Sequence, residues 1–106
     1  MVKRISLVRR RKDLTPQQFA AHWLGPHADI ARGIPGLRGY RINLARDPDD
    51  AGWDGVAETW FDSEEAAREG FASEPLKSPL TEDRPKFIDY QVVFFVDVHI
   101  VAQSPD

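Results

Sequence analysis

Residues 90–101 carry apolar side chains on both faces of what reads as a β-strand. At a period of two, Val92, Phe94, Val96, Val98 and Ile100 share one face, and Val93, Phe95, Asp97, His99 and Val101 share the other. A strand of this kind needs cover on both sides, because an antiparallel sheet that meets water on one face alternates apolar with polar. The chain has 106 residues, the length of one domain with one hydrophobic core. Residues 1–106 therefore read as a single domain that covers one face of this strand and leaves its second face in need of a partner.

The rest of the pattern supplies the first cover. Residues 3–10, with Ile5, Leu7 and Val8, read as a first strand. Arg9-Arg10-Arg11-Lys12-Asp13 then breaks the run; with no aromatic residues interleaved, it reads as a solvated turn rather than a nucleic-acid patch. Thr15-Pro16-Gln17-Gln18 is a helix start: Thr15 caps, Pro16 suits the first position, and Gln18 closes a capping box. Phe19, Trp23 and Ile30 follow at helical spacing. Gly25-Pro26 interrupts them, since proline lacks an amide hydrogen and crowds the preceding turn, so the helix is expected to kink or restart near His27. Gly33-Ile34-Pro35-Gly36 ends it.

Residues 37–45 alternate as a second strand, with Tyr40, Ile42 and Leu44 on one face. Residues 46–54 form a polar loop, and residues 55–62 a third strand, with Val56, Glu58 and Trp60 opposite Ala57, Thr59 and Phe61. Ser63 caps a second helix whose inner face holds Ala66, Ala67 and either Gly70 or Phe71. Residues 73–79 read as a loop with two prolines, residues 81–87 as a short helical piece, and residues 103–106 as a frayed tail. The order βαββαβ implies an α+β, ferredoxin-like sandwich: a four-stranded antiparallel sheet with both helices on one face. Face-to-face packing of two such sheets, about 10 Å apart, would give a homodimer and cover the second apolar face. Sheet twist that buries those residues locally is the alternative.

Composition excludes several classes of function. There is no cysteine, hence no disulfide, thiolate metal site or thiol nucleophile. A formal charge of −3 gives no electrostatic case for nucleic acid. No apolar run is long enough to span a bilayer, and no signal-peptide core follows Met1-Val2-Lys3-Arg4, so a cytoplasmic protein without a membrane partner is expected. Serine-hydrolase, Walker A and dinucleotide fingerprints are missing, and no cofactor is implied.

Four segments occur in order at suitable spacing: Phe19-x-x-His22-Trp23-x-x-x-His27-Ala28, Pro35-Gly36-Leu37-x-x-Tyr40, Glu58-x-Trp60-Phe61-x-Ser63-x-Glu65-Ala66, and Asp83-x-x-x-Phe87. Together they resemble the EthD family of the dimeric α/β-barrel superfamily, over about residues 3–101. Relatives there include methylmuconolactone methylisomerases and fungal polyketide decarboxylases; polyketide cyclases and cofactor-free monooxygenases are more distant. The resemblance implies a fold and a pocket rather than one reaction. In the methylisomerases a pocket histidine lies ten residues before the leucine of the Pro-Gly-Leu turn, where His27 stands before Leu37. A pocket tyrosine follows the turn, where Tyr40 stands. The pocket cysteine is replaced by Thr59.

His27, Tyr40 and Thr59 are thus the candidate catalytic residues. His27 would be the proton shuttle near neutral pH, and Tyr40 and Thr59 would orient a carbonyl or hydroxyl; Tyr40 also reads as a core tyrosine with a satisfied hydroxyl. His22, Trp23, Ala57, Phe61 and Phe87 are the candidate substrate-binding residues. His22 and His27 are five apart, whereas helical ligand pairs stand three or four apart, and no third ligand stands out, so no metal site is assigned. Glu58, if buried by the dimer, needs a partner such as Arg41 or Arg9. Asp97 and His99 are given no role. Two functions fit: a cofactor-independent isomerase, decarboxylase or cyclase acting on a small aromatic or lactone-type molecule, or a non-catalytic ligand-binding or accessory protein. An interaction module that recruits a different chain is a third.

Overall fold

The computed structural model describes residues 1–103; of the expected tail, only Gln103 falls within them. Four strands form one sheet: β1 (Val2–Arg10), β2 (Gly39–Leu44), β3 (Gly55–Phe61) and β4 (Ile88–Asp97). Their order is β2-β3-β1-β4 with every neighbouring pair antiparallel, the ferredoxin-like arrangement. The ladder between β1 and β4 ends at the Val2–Asp97 pair. β4 stops there, and Val98, His99, Ile100 and Val101, expected in the strand, lie beyond it: β-propensity persists, but no β1 residue remains to accept the backbone hydrogen bonds.

α1 (Pro16–His22) begins as expected, with Gln18 N donating to Thr15 Oγ1 at 3.1 Å and Thr15 N donating to Gln18 Oε1 at 2.9 Å. At Gly25-Pro26 the α-helix is interrupted and restarts just after His27, as expected, but the chain does not leave the helical path. It widens into a π-helical turn over Trp23–His27, with Pro26 inside it, and resumes as α2 (Ala28–Ala31). The wider turn absorbs the missing proline amide without ending the helix. The polar loop contains a short helix, α3 (Pro48–Ala51), capped by Asp47. α4 (Glu64–Ala72) is capped by Ser63 Oγ and buries Ala67 and Gly70. α5 (Lys77–Asp83) starts earlier than the prolines led us to expect, because Pro79 sits within its first turn, where its missing amide costs no helical bond. A 3₁₀ turn over Arg84–Lys86 leads into β4.

The helices cover the sheet face that carries Ser6, Val8, Thr59 and Phe61, all of them buried. The core has two centres. Phe61, Ala31, Ile34, Ala67 and Leu80 form one, and Val8, Phe19, Trp23 and Phe87 the other. Gly55 lets the second centre close: a Cβ there would stand 2.5 Å from Trp23 Cζ3 and 2.7 Å from Asn43 O, so the indole lies directly on the β3 backbone.

The opposite sheet face is bare. It carries Ile5 and Leu7 from β1, Val56 and Trp60 from β3, and Val92, Phe94 and Val96 from β4. Phe94 is 44% exposed. Glu58 also lies on this face, and its partners are Lys3 (2.9 Å) and Asn43 Nδ2 (3.0 Å). Arg9 is not its partner but stacks on Trp53 and Tyr90, because it stands at the far end of β1, where those rings are its neighbours. Arg41 contributes to Glu58 through its charge.

Candidate active site

The π turn decides the geometry of the site. Residues five apart are neighbours where hydrogen bonding runs i to i+5, so His22 and His27 come to the same side of the helix and meet one carboxylate. His27 Nδ1 lies 2.8 Å from Asp83 Oδ2, and His22 Nε2 lies 3.0 Å from both Asp83 oxygens. Asp83 closes α5 and is 5% exposed. Phe87, one turn further on, packs against both imidazoles, with ring centroids at 4.8 Å from His27 and 4.9 Å from His22.

The electrostatics fix the protonation states. Burial lowers the pKa of His27 below 6.5, and the charges of Arg84 and His22 add to that, while the Asp83 bond opposes it without prevailing. His27 is therefore a neutral imidazole at pH 7. Burial alone would raise Asp83; the hydrogen bonds from His27 and His22 outweigh it and hold the carboxyl below 3.8, ionised. An ionised carboxylate only accepts, so His27 donates through Nδ1–H, which leaves Nε2 as the basic ring nitrogen.

His27 also forms part of a cavity wall between sheet and helices, together with Trp23, Tyr40, Ala57 and Thr59. Tyr40 and Thr59 are paired across β2 and β3, and Ala57 pairs with Ile42 one step along. Burial pushes the Tyr40 phenol above 10, partly offset by a hydrogen bond from the Trp23 indole; the hydroxyl is an un-ionised donor. Thr59 Oγ1 contacts Arg4 O at 3.5 Å, a long and weak bond that leaves the hydroxyl available. The enclosed cavity is about 40 Å³, enough for a small functional group rather than a whole ring system.

Three of the expected binding residues lie elsewhere. Phe61 and Phe87 are fully buried core residues, and neither lines the cavity. Their rings are taken up by packing with Phe71 and with Phe19 and Trp23. His22 stands behind His27, committed to Asp83, instead of at the cavity rim. Sequence reasoning did not single out Asp83 as the partner of both histidines. Its one signal was its place in the Asp83-x-x-x-Phe87 segment, since its partners are 56 and 61 residues away. Arg4, Arg84 and Gln91, which also line the cavity, carried no signal. Among the described residues no group of three or more His, Asp or Glu is arranged to hold a metal ion.

A four-stranded sheet in ferredoxin-like order with helices on one face defines a class of small α+β proteins, some of whose solved members are dimers. A protein-family model for the EthD domain matches residues 11–91, and the chain belongs to the EthD family. No curated protein matches it significantly. Among solved structures it is similar to an EthD family protein from Bacillus halodurans, at 22% identity and a TM-score of 0.78 over 93% of this chain and 99% of that one. It is also similar to a dimeric ferredoxin-like protein of unknown function from Thermobifida fusca, at 15% identity and a TM-score of 0.73 over 92% and 90%. A hydroxynitrile lyase from Passiflora edulis matches at 14% identity and a TM-score of 0.73 over 96% of both chains.

Proposed function

We propose that the protein binds a small aromatic or lactone-type molecule whose reactive group enters the cavity, and that His27 exchanges a proton with it in a cofactor-independent reaction. The observation that carries this reading is the bond between His27 Nδ1 and the buried Asp83. It fixes the tautomer and aims the basic character at Nε2, the arrangement that general acid–base catalysis requires. Tyr40 and Thr59 supply hydroxyls on the opposite wall to orient a carbonyl or hydroxyl. Isomerisation, decarboxylation and cyclisation all run through such a proton transfer. The presence of a lyase among proteins of the same fold supports catalysis over simple carriage.

The test reads the His27 ring and Trp23 indole signals by NMR while a panel of small phenols and lactones is added. Saturable shifts are expected in the wild type and lost in Ala57→Leu, which fills the cavity. A panel that moves neither residue at millimolar concentration would remove the pocket from consideration. Once a substrate is known, His27→Ala should abolish turnover; full turnover would refute the role of His27.

The same reading includes a homodimer through the bare sheet face. Seven apolar side chains, Ile5, Leu7, Val56, Trp60, Val92, Phe94 and Val96, lie together there, Phe94 exposed and the other six half-buried, an apolar patch that a second copy would cover. Dimers are known among proteins of this fold.

A further inference from the structure

The cavity lies in a net-negative chain, yet its own charge is positive. Arg4, on the helix-covered face of β1, and Arg84, in the turn after α5, both line it beside His27, and its wall contains no aspartate or glutamate. Among the described residues neither guanidinium has a carboxylate within ion-pair distance. Arg4 lies over the Phe71 ring, at 4.0 Å, so its charge meets an aromatic face and no carboxylate. Burial and the nearby charge of Arg84 lower Arg4 to about 10, and Arg84 also helps to keep His27 neutral. A half-buried guanidinium that faces no carboxylate carries a desolvation cost in a folded chain. It is retained most economically where a ligand brings the missing charge.

A second hollow continues from the first. A groove of about 380 Å³ runs between α4 and the edge of β4, lined by Arg4, Arg68, Phe71, Lys77, Val93 and Phe95, again with no acid in its wall. Arg4 and Phe71 belong to both walls, so this pair is the partition between groove and cavity. The groove gives the room for an apolar body that the enclosed cavity lacks, and Phe71, Val93 and Phe95 give it an apolar surface.

Resting on the pocket reading above, we propose that the ligand of this site is a small organic acid whose carboxylate is held by Arg4 and Arg84, with its apolar body in the groove. A carboxylate is flat and takes the two-pronged hydrogen bonds that a guanidinium offers. It is also small enough for the enclosed space. Lys77 at the outer wall favours the approach of an anion, while Arg68 there is already paired with Glu64 at 2.9 Å.

The test uses benzoate, its neutral isostere benzamide and inorganic phosphate, read by NMR at Trp23 and His27 and by calorimetry. Benzoate is expected to shift both residues saturably, with benzamide binding about tenfold more weakly or worse. Arg84→Gln and Arg4→Gln should each reduce benzoate affinity about tenfold and leave benzamide unchanged. Arg84 lies in a surface turn, so its variant gives the readout even if the central-strand variant does not fold. Equal binding of benzamide and benzoate would overturn the carboxylate while leaving the pocket in place. Tighter binding of phosphate would overturn it in favour of another anion. No shift with any of the three would overturn the inference and the pocket together.

Discussion

His27 and Asp83 have the opposite effects of burial written into one hydrogen bond. Burial drives the imidazole towards its neutral form and would do the same to the carboxyl, but two imidazole donors keep Asp83 ionised. Both pKa values lie below their ordinary ones, so between each folded value and its unfolded counterpart the unfolded chain binds more protons. Stability therefore rises with pH in both windows. It is complete above 6.5, falls as pH drops below 6.5 through the His27 value, and falls again below 3.8 through that of Asp83. Urea titrations across an acid pH series should show both declines, and His27→Gln should remove the first; an unchanged first decline would mean that another group causes it. Asp83→Asn removes the charge that opposes the downward shift of His27. The His27 midpoint, followed by NMR, should fall further, with a stability loss of about 1–3 kcal/mol for the disrupted buried bonds. A rise in the midpoint would contradict the assignment.

Elements built from local chemistry were legible in the sequence, and elements defined by distant partners were not. The caps at Thr15 and Ser63 depend on residues three apart and appear as read. Thr15→Ala should therefore cost about 1 kcal/mol in thermal or urea melts. Pro26 announced an interruption, but whether a helix answers by breaking or by widening depends on what holds both its halves. Here Trp23 and Ala31, on either side of the proline, are buried in the two core centres. The end of β4 depended on the register with β1, which no periodicity in residues 90–101 contains. Asp83 stayed hidden for the same reason: an aspartate near a helix end is ordinary until two histidines from another helix arrive at it. Two glycines separate local preference from packing. Gly25 has open space where a Cβ would go, and Gly25→Ala should be tolerated or slightly stabilising. Gly55→Ala meets Trp23 and the β2 backbone, and should cost about 1–3 kcal/mol or more. Melts that reverse this order would show that the indole does not rest on β3.

At the scale of the molecule, the two sheet faces divide the work. The helix-covered face holds the cavity, and the bare face is the one through which the proposed dimer would form. Light scattering after size-exclusion chromatography should report twice the chain mass of 12.0 kDa, and Phe94→Asp should return a monomer without loss of secondary structure. A wild type that stays at the single-chain mass at micromolar concentration would dismiss the dimer. The histidine pair and the cavity lie on the helix-covered face, so both should survive dissociation. The placing of His22 has a consequence for the same side of the molecule. A ligand that fills the cavity cuts off Nε2 of His27 from bulk water. Asp83 lies behind the ring, and His22, whose side chain is 26% exposed, stands on the far side of that carboxylate. The buried imidazole thus keeps a rear connection to solvent through Nδ1, whereas a hydrogen taken from the ligand at Nε2 has no path along it and returns to the ligand undiluted by deuterated water.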